Sequence, residues 1–538
     1  MELLGARYVV GCTLDLAGAG GVIHVRGDSA EITALAARLA VLGPFSQRIF
    51  AGHVALGVRC SPDVVEAVAD AMEVLATDPS ASPHALRQVV DSRREAGWMR
   101  IREAALAQGL PVLLDDEGLS VGLGARGATY GSAALPRAFG GLGRVPVALV
   151  TGTNGKTTTT RFLAAMAEAS GLKVGHTSSD GIFVAGRCVE RGDWSGPGAA
   201  RRVLRHGQVE FAVLETARGG MLRRGVQIDF ADVAIVTNVS ADHLGEWGVD
   251  TVDQMAEVKL LAAEGLRRGG TLVLNADQWR WPELVSGFSA RRPDVRVQWF
   301  SRARAADACV RGGDLVLGGV TLGPVDAIPL TFGGRAAHNV ENALAAALAG
   351  GAMGLAAGVI YAGLVGVTPD PEHSAGRANV FEVPVEGGTA TVFVDFAHNA
   401  EGMRHLASLA RSWGARRVLL MAGQAGDRTD ALLDAFTNAA LGMAPDRVYL
   451  KEMAKYLRGR QVGEVVERMR ASFAAAGVPT TSWPDELAAT AAALADLRAG
   501  DFLLLLAHVD AAGVIERVRE RLPPVRTEST AACSPPRA

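Results

Sequence analysis

The chain has 538 residues, 49% of them hydrophobic and 21% charged, with 54 basic and 57 acidic side chains giving a formal net charge of −3, a size and composition that predict roughly three soluble globular domains. The basic residues are spread rather than clustered and the isoelectric point is near 6.4, which argues against a nucleic-acid-binding surface. Cys12, Cys60, Cys188, Cys309 and Cys533 lack paired metal-site spacing and fit a reduced, cytoplasmic protein; no apolar run reaches the roughly 18 residues of a membrane span, and residues 1–20 show no basic-then-apolar leader pattern.

Residues 1–142 alternate short strand-like runs, such as 8–12 and 22–25, with alanine-rich helical stretches at 30–42 and 62–75, which predicts a smaller N-terminal α+β domain of unassigned role. Its last part, residues 109–127, reads as a hairpin, and 132–145 as a Gly-, Ala- and Pro-containing linker, placing a boundary near residue 142.

From 143 to 372 apolar strands alternate with helices, the pattern of a mostly parallel sheet covered on both faces. The run 145–150 reads as a buried strand, the string TGTNGKTTTT at 151–160 as a glycine turn, and the following stretch as a helix ending at Gly171. A strand, a glycine turn and a helix N-terminus cradle phosphate: Gly152, Thr153, Asn154, Gly155 and Thr158 bring backbone N–H groups, Lys156 reaches the outer phosphates, and Thr157 offers a hydroxyl to Mg²⁺. The expected ligand is a nucleoside triphosphate, although Val150 stands where the general P-loop pattern has glycine. Two further strands end at Glu215 and at Asn238, Asp242 and His243; in open α/β sheets such ends converge on the ligand, which makes Glu215 a natural Mg²⁺ ligand. His338, Asn339 and Asn342 open a later helix, where the two asparagines share a face and can read an adenine edge, the alternative being that Asn339 caps the helix.

Residues 373–522 read as a second, Rossmann-like α/β unit, with strands ending in DFAHNAEG after 394, GQAGDR after 422 and a late strand at 502–508. Residues 523–538 are expected to be a disordered tail.

Taken together, TGTNGKTTTT, LETARGG, NVSADHLG, HNVEN and DFAHN, in this order, resemble the Mur ligase family, and most closely the Mur-ligase-like C-terminal module of the cyanophycin synthetases; the resemblance covers about residues 143–522. It implies an ATP-dependent amide ligase that phosphorylates a carboxylate and lets an amine displace the phosphate, releasing ADP. It also implies roles by match: Lys156 on the β/γ-phosphates; Thr157 and Glu215 on one Mg²⁺ and His243 on a second; Lys259 as a carbamylated lysine bearing on Mg²⁺; His338, Asn339 and Asn342 on the adenine side; Arg377 and Asp395 at a hinge and C-terminal domain that close on the nucleotide; and His398, Asp427 and Arg428 toward the amine substrate. The implied substrates are an amino acid and a carboxylate acceptor such as a peptide or polymer, with arginine onto aspartate as the nearest analogy. Departures are Ala400, where the family often has proline, and an N-terminal part too short for the ATP-grasp module that precedes the ligase module in cyanophycin synthetases. That shortness keeps open a non-catalytic, nucleotide-binding partner of a separate ATP-grasp ligase, and a homo-oligomer is also left open.

Overall fold

In the N-terminal region four strands pair into an antiparallel sheet, β1 (Glu2–Val9), β2 (Gly20–Arg26), β3 (Phe45–Phe50) and β4 (His53–Arg59), in the order β1-β2-β4-β3 with the two central strands the most buried. Helix α1 (Ser29–Leu39) starts at a capping box, Asp28 accepting from the Glu31 N–H while Glu31 answers the Asp28 N–H. Helix α2 (Val65–Thr77) buries Val68, Met72 and Leu75 against Ile23, Val25, Leu56 and Val58 of the sheet, each such side chain contributing about 1.5–3 kcal/mol. Of the expected strand at 8–12 only Tyr8 and Val9 belong to β1, which starts earlier, at Glu2, and Cys12 makes an isolated bridge to Val226; the helix expected from residue 62 begins only after a 3₁₀ turn at Pro62–Val64. Helices α3 (Pro83–Ser92) and α4 (Ala96–Ala107) lead to a small antiparallel sheet, β5 (Val112–Asp115), β6 (Gly118–Val121) and β7 (Ala128–Tyr130), in place of a simple hairpin.

The computed structural model describes the whole chain except residues 51, 116, 132–135, 137, 227, 243, 279–280, 373–374 and 524–538. His243, part of the linker read at 132–145, and all of the tail after residue 523 therefore lie outside the described residues. The chain divides into two compact units, Met1–Thr368 and Pro369–Ala538.

The N-terminal sheets share the first unit with an eleven-stranded sheet. In chain order this sheet is β8 (Val147–Thr151), α5 (Lys156–Ala169), β9 (Val174–Ser178), β10 (Gly181–Val184), β11 (Arg187–Arg191), α6 (Pro197–Arg205), β12 (Phe211–Glu215), α7 (Arg218–Arg224), β13 (Ala231–Val236), α8 (Val252–Glu264), β14 (Leu266–Asn275), α9 (Trp281–Arg291), β15 (Arg296–Ser301), β16 (Ala308–Arg311), β17 (Asp314–Leu317), β18 (Val320–Pro324), α10 (Ala337–Ala352) and α11 (Ala357–Gly366). The strand order is β11-β10-β9-β12-β8-β13-β14-β15-β16-β17-β18, parallel from β9 to β16 and antiparallel at both edges. Strand β8 is buried throughout because β12 and β13 flank it in parallel and helices cover both faces, which is why its sequence is an unbroken apolar run.

The second unit follows the same logic with β19 (Asn379–Val385), β20 (Gly388–Asp395), α12 (Ala400–Ser412), β21 (Arg417–Ala422), α13 (Asp430–Leu441), β22 (Arg447–Lys451), α14 (Glu464–Ala475), β23 (Thr480–Trp483), α15 (Glu486–Ala495), β24 (Asp501–Leu506) and α16 (Ala511–Arg519). The order is β19-β20-β24-β21-β22-β23, antiparallel only at β19, so the fully buried β24 sits inside the sheet. Among the described residues no helix is long and apolar enough to cross a membrane.

Candidate functional site

The turn between β8 and α5 is held in one shape before any ligand arrives. Gly152 (φ +149°) and Gly155 (φ +81°) lie in the region that favours glycine, and a Cβ would stand 1.8 Å from Thr237 Oγ1 at the first and 2.1 Å from Asn342 Oδ1 at the second. The end of β13 stitches the loop down: the Thr153 N–H donates to Asn238 O (3.0 Å), the Asn154 N–H to Asn238 Oδ1 (2.9 Å), Thr237 Oγ1 to Asn154 O (2.6 Å), and the Ser240 N–H to Thr153 Oγ1 (3.0 Å). These bonds leave the α5 N-terminus, with Lys156 and Thr157 in its first turn, at the carboxyl end of the sheet.

Two lysines meet at one carbonyl. Lys156 Nζ donates to Gly152 O (3.1 Å) and Thr153 O (3.0 Å), and Lys259 Nζ, from α8, donates to Gly152 O (2.9 Å). Lys259 is buried at 3% exposure. Burial first, and then the nearby Lys156 and Arg218 charges, drive its pKa well below that of a free lysine, while Asp242 and Glu215 pull the other way. Beside it, Thr157 Oγ1 donates to Glu215 Oε2 (2.8 Å), with the carboxylate 3% exposed, and Ser179 Oγ lies 3.4 Å from the Thr157 hydroxyl. A hydroxyl in the first turn of a helix and a carboxylate at a strand end are hard oxygen donors that suit Mg²⁺. Among the described residues no group of three or more His, Cys, Asp or Glu is placed to hold a metal ion.

Asn339 and Asn342 are each 3% exposed and work as a prop under the phosphate loop. Asn339 Nδ2 donates to Leu330 O (2.8 Å), Asn342 Nδ2 to Asn339 Oδ1 (3.1 Å), and Thr159 Oγ1 to Asn342 Oδ1 (3.4 Å). Helix α10 begins at Ala337 with no side-chain cap, so Asn339 does not cap it, and His338 is half-buried in its first turn.

In the second unit Asp395 ends β20 and accepts the Ala378 N–H and the Ala397 N–H, both at 2.9 Å. Burial pushes its carboxyl pKa up against those N–H donors and the Arg377 charge. The Arg377 guanidinium lies 5.2 Å over the Phe396 ring, and His398 Nδ1 is 3.2 Å from Phe396 O. Asp427 pairs with Arg458, while Arg460 donates to Gly426 O (3.1 Å) and Arg428 O (2.8 Å), fixing the loop that carries Asp427 and Arg428.

Some charged pairs of the structure have little or no local mark in the sequence. Lys451, wholly buried at the end of β22, pairs with Glu486, whose carboxylate also takes the N–H groups of His508 (2.7 Å), Val509 (3.1 Å) and Asp510 (2.8 Å). Burial lowers the Lys451 pKa to about 8 against the pull of Glu486. The only signal was a lysine closing an otherwise apolar strand. The second pair joins Arg218, the first residue of α7, to Glu246, and nothing in the spacing of the two residues announces it.

The profile of the Mur ligase middle domain matches residues 150–350, and that of the Mur ligase glutamate ligase domain matches residues 376–509. Cyanophycin synthetase from Synechocystis sp. is 40% identical over 335 residues, 60% of this chain and 38% of that one, and the enzyme of the same name from Nostoc sp. is 38% identical over 54% of this chain and 33% of its own. The chain thus spans little more than a third of the length of these relatives. A UDP-N-acetylmuramoyl-L-alanyl-D-glutamate–2,6-diaminopimelate ligase from Geobacillus thermodenitrificans is 26% identical over 66% of this chain and 72% of its own. Among solved structures, E. coli FolC in complex with ADP, without folate substrate, superposes with a TM-score of 0.53 at 19% identity over 70% of this chain and 89% of its own, which shows a shared fold.

Proposed function

The chain belongs to the Mur ligase family, and we propose that it is an ATP-dependent amide ligase of the cyanophycin synthetase kind, joining a carboxylate acceptor, a peptide or polymer, to an amino acid in the cytoplasm. A carboxylate oxygen attacks the γ-phosphorus in line, the bond to the ADP oxygen breaks, and an acyl phosphate forms. The neutral amine then attacks the acyl carbon, phosphate leaves with the bonding pair, and the nitrogen sheds a proton to give the amide.

The observation that carries this reading is the Thr157–Glu215 hydrogen bond beside the two lysines on Gly152 O. Residues 143–372 take the nucleotide: the amides of Gly155 to Thr158 at the start of α5 cradle phosphate, those of Thr153 and Asn154 being taken by Asn238, Lys156 supplies charge at its outer end, Asn339 and Asn342 support the loop from beneath, and His338 is assigned to the base side. Thr157, Glu215, His243 and Lys259, the last as a carbamate, are the residues that would hold Mg²⁺, which neutralises phosphate charge that would repel the attacking carboxylate. Residues 373–522 take the amine side, with Arg377 and Asp395 serving the nucleotide and His398, Asp427 and Arg428 the amine. A neutral Lys259 amine is the form that reacts with carbon dioxide, and its depressed pKa supports that assignment.

The test supplies ATP and Mg²⁺ with amino-acid and acidic-peptide panels and follows ADP and phosphate. Release that requires both substrates, with hydroxylamine trapping the acyl phosphate as a hydroxamate, is the expected result. ATP turnover indifferent to any carboxylate, or nucleotide binding without turnover across the panels, would overturn the reading.

A further inference from the structure

The N-terminal sheet holds none of the groups assigned above, yet it is fastened to both segments that leave the strand ends at the phosphate site. The first is α7, which follows Glu215. At its far end the Val10 N–H donates to Arg224 O (2.9 Å), the Val226 N–H donates to Cys12 O (3.0 Å), and the Arg224 guanidinium lies 3.9 Å over the Tyr8 ring while donating to Tyr8 O (3.1 Å). The second is the turn that follows Asp242. There the Arg7 guanidinium lies 5.4 Å over the Trp247 ring, and the Phe50 ring crowds Gly248 so closely that a Cβ would stand 2.4 Å from it. Arg48 of β3 also reaches Glu257 of α8 (3.6 Å).

This turn needs outside support. Gly245 and Gly248 have φ of +88° and +68°, and Trp247, with a side chain that disfavours the left-handed region, has φ +57°. Arg7 is already aimed at it: Nη2 donates to Asp15 Oδ2 (2.5 Å) and Nη1 lies 2.6 Å from His24 Nε2, so the guanidinium is fixed before it meets the ring. Glu246, in the same turn, carries Arg218.

We propose that the N-terminal sheet is a brace for the metal side of the phosphate site, in which Arg7 and Trp247 are positioning residues that hold the 245–249 turn so that Glu246 keeps Arg218 at the start of α7. The proposal rests on the ligase reading only for the identity of the ligand. Helix α7 begins three residues after Glu215 and the turn follows Asp242, so a loose turn weakens the hold of Glu246 on Arg218 and lets the segment after Glu215 drift.

Trp247 is 44% exposed, so Trp247→Ala removes no core contact. Hydrogen exchange without nucleotide should show faster exchange in 244–250 and 216–226 for Trp247→Ala and for Arg7→Met, and Trp247→Phe, which keeps an aromatic face, should stay near the parent. Calorimetric titration of Mg²⁺ into each variant with ADP should show half-saturation raised roughly fivefold by either loss of the cation–π contact, with no further rise in the double variant. Unchanged exchange in both segments, or additive effects of the two substitutions, would overturn the brace. If the parent itself binds ADP without regard to Mg²⁺, the ligase reading fails, while the exchange data still decide the brace.

Discussion

Replacing Lys259 by alanine separates stability from chemistry more cleanly than any other change. The side chain makes one hydrogen bond, to Gly152 O at 2.9 Å, and such a bond contributes about 1 kcal/mol. Against this stands the cost of burying an amine that prefers its neutral form. A lysine with the ordinary pKa near 10.4 is neutral in only about one molecule in a thousand at pH 7.4, and each unit of depression multiplies that fraction tenfold. Because the folded pKa lies below the unfolded one, the unfolded chain binds the extra proton: stability rises with pH between the two values, and the burial penalty is felt in full below the folded one. Lys259→Ala should therefore melt within a few degrees of the parent at neutral pH. Activity should fall far more, by roughly 10²-fold or beyond, the range for a group that stabilises transition-state charge. The assay is coupled ADP release in carbon-dioxide-depleted buffer with and without added bicarbonate. The parent should respond to bicarbonate, the variant should not, and acetate should restore part of the variant's rate by supplying the missing anionic oxygen. A carbon-13 carbonate NMR signal present in the parent and lost in the variant would show the carbamate directly. Parental turnover in Lys259→Ala, or a parent indifferent to bicarbonate, refutes the carbamate and leaves Lys259 as a tether for the phosphate loop.

Lys156→Ala should leave thermal unfolding nearly unchanged and reduce turnover by about 10²-fold or more, since it removes a charge aimed at phosphate and no core contact; near-normal ATP consumption would remove it from the phosphate site. Glu215→Ala and His243→Ala should each raise the Mg²⁺ concentration needed for half-maximal rate at saturating ATP, and curves that overlay the parent would make both residues structural. Gly155→Ala should abolish nucleotide binding in equilibrium dialysis, because the added Cβ meets Asn342 Oδ1 at 2.1 Å in a backbone conformation that already disfavours it. Glu486→Met should lose about 3–5 kcal/mol in urea unfolding by leaving the Lys451 amine and the N–H groups of His508, Val509 and Asp510 without their partner in the interior, and the double variant Lys451→Met/Glu486→Met should recover the part that belongs to the pair; equal losses in single and double variants would mean the pair is not coupled.

What the sequence determines by itself is whatever is encoded over short distances. The strand, glycine turn and helix from Val147 to Ala169 are legible because the apolar run, Gly152, Gly155 and the helical pattern lie side by side, and the carboxyl ends of β12, β13 and β20 are legible because a buried strand stops at a polar residue. The alternation of strands and helices likewise announces two α/β sheets. Contacts between residues distant in the chain carry no such mark. Lys259 is singled out only by the family resemblance, and nothing near it in the chain shows that α8 packs against β8 and brings its Nζ to Gly152 O; Asn342 reads as a base-reading residue until α10 places it under Gly155; Lys451 and Glu486, like Arg218 and Glu246, are ordinary charges until the sheets close. The N-terminal strands show their own alternation but not what their sheet leans on. Backbone hydrogen bonding and side-chain periodicity act within a few residues, whereas burial of a charge and its partner are set by packing across the whole unit, and only the folded chain decides them.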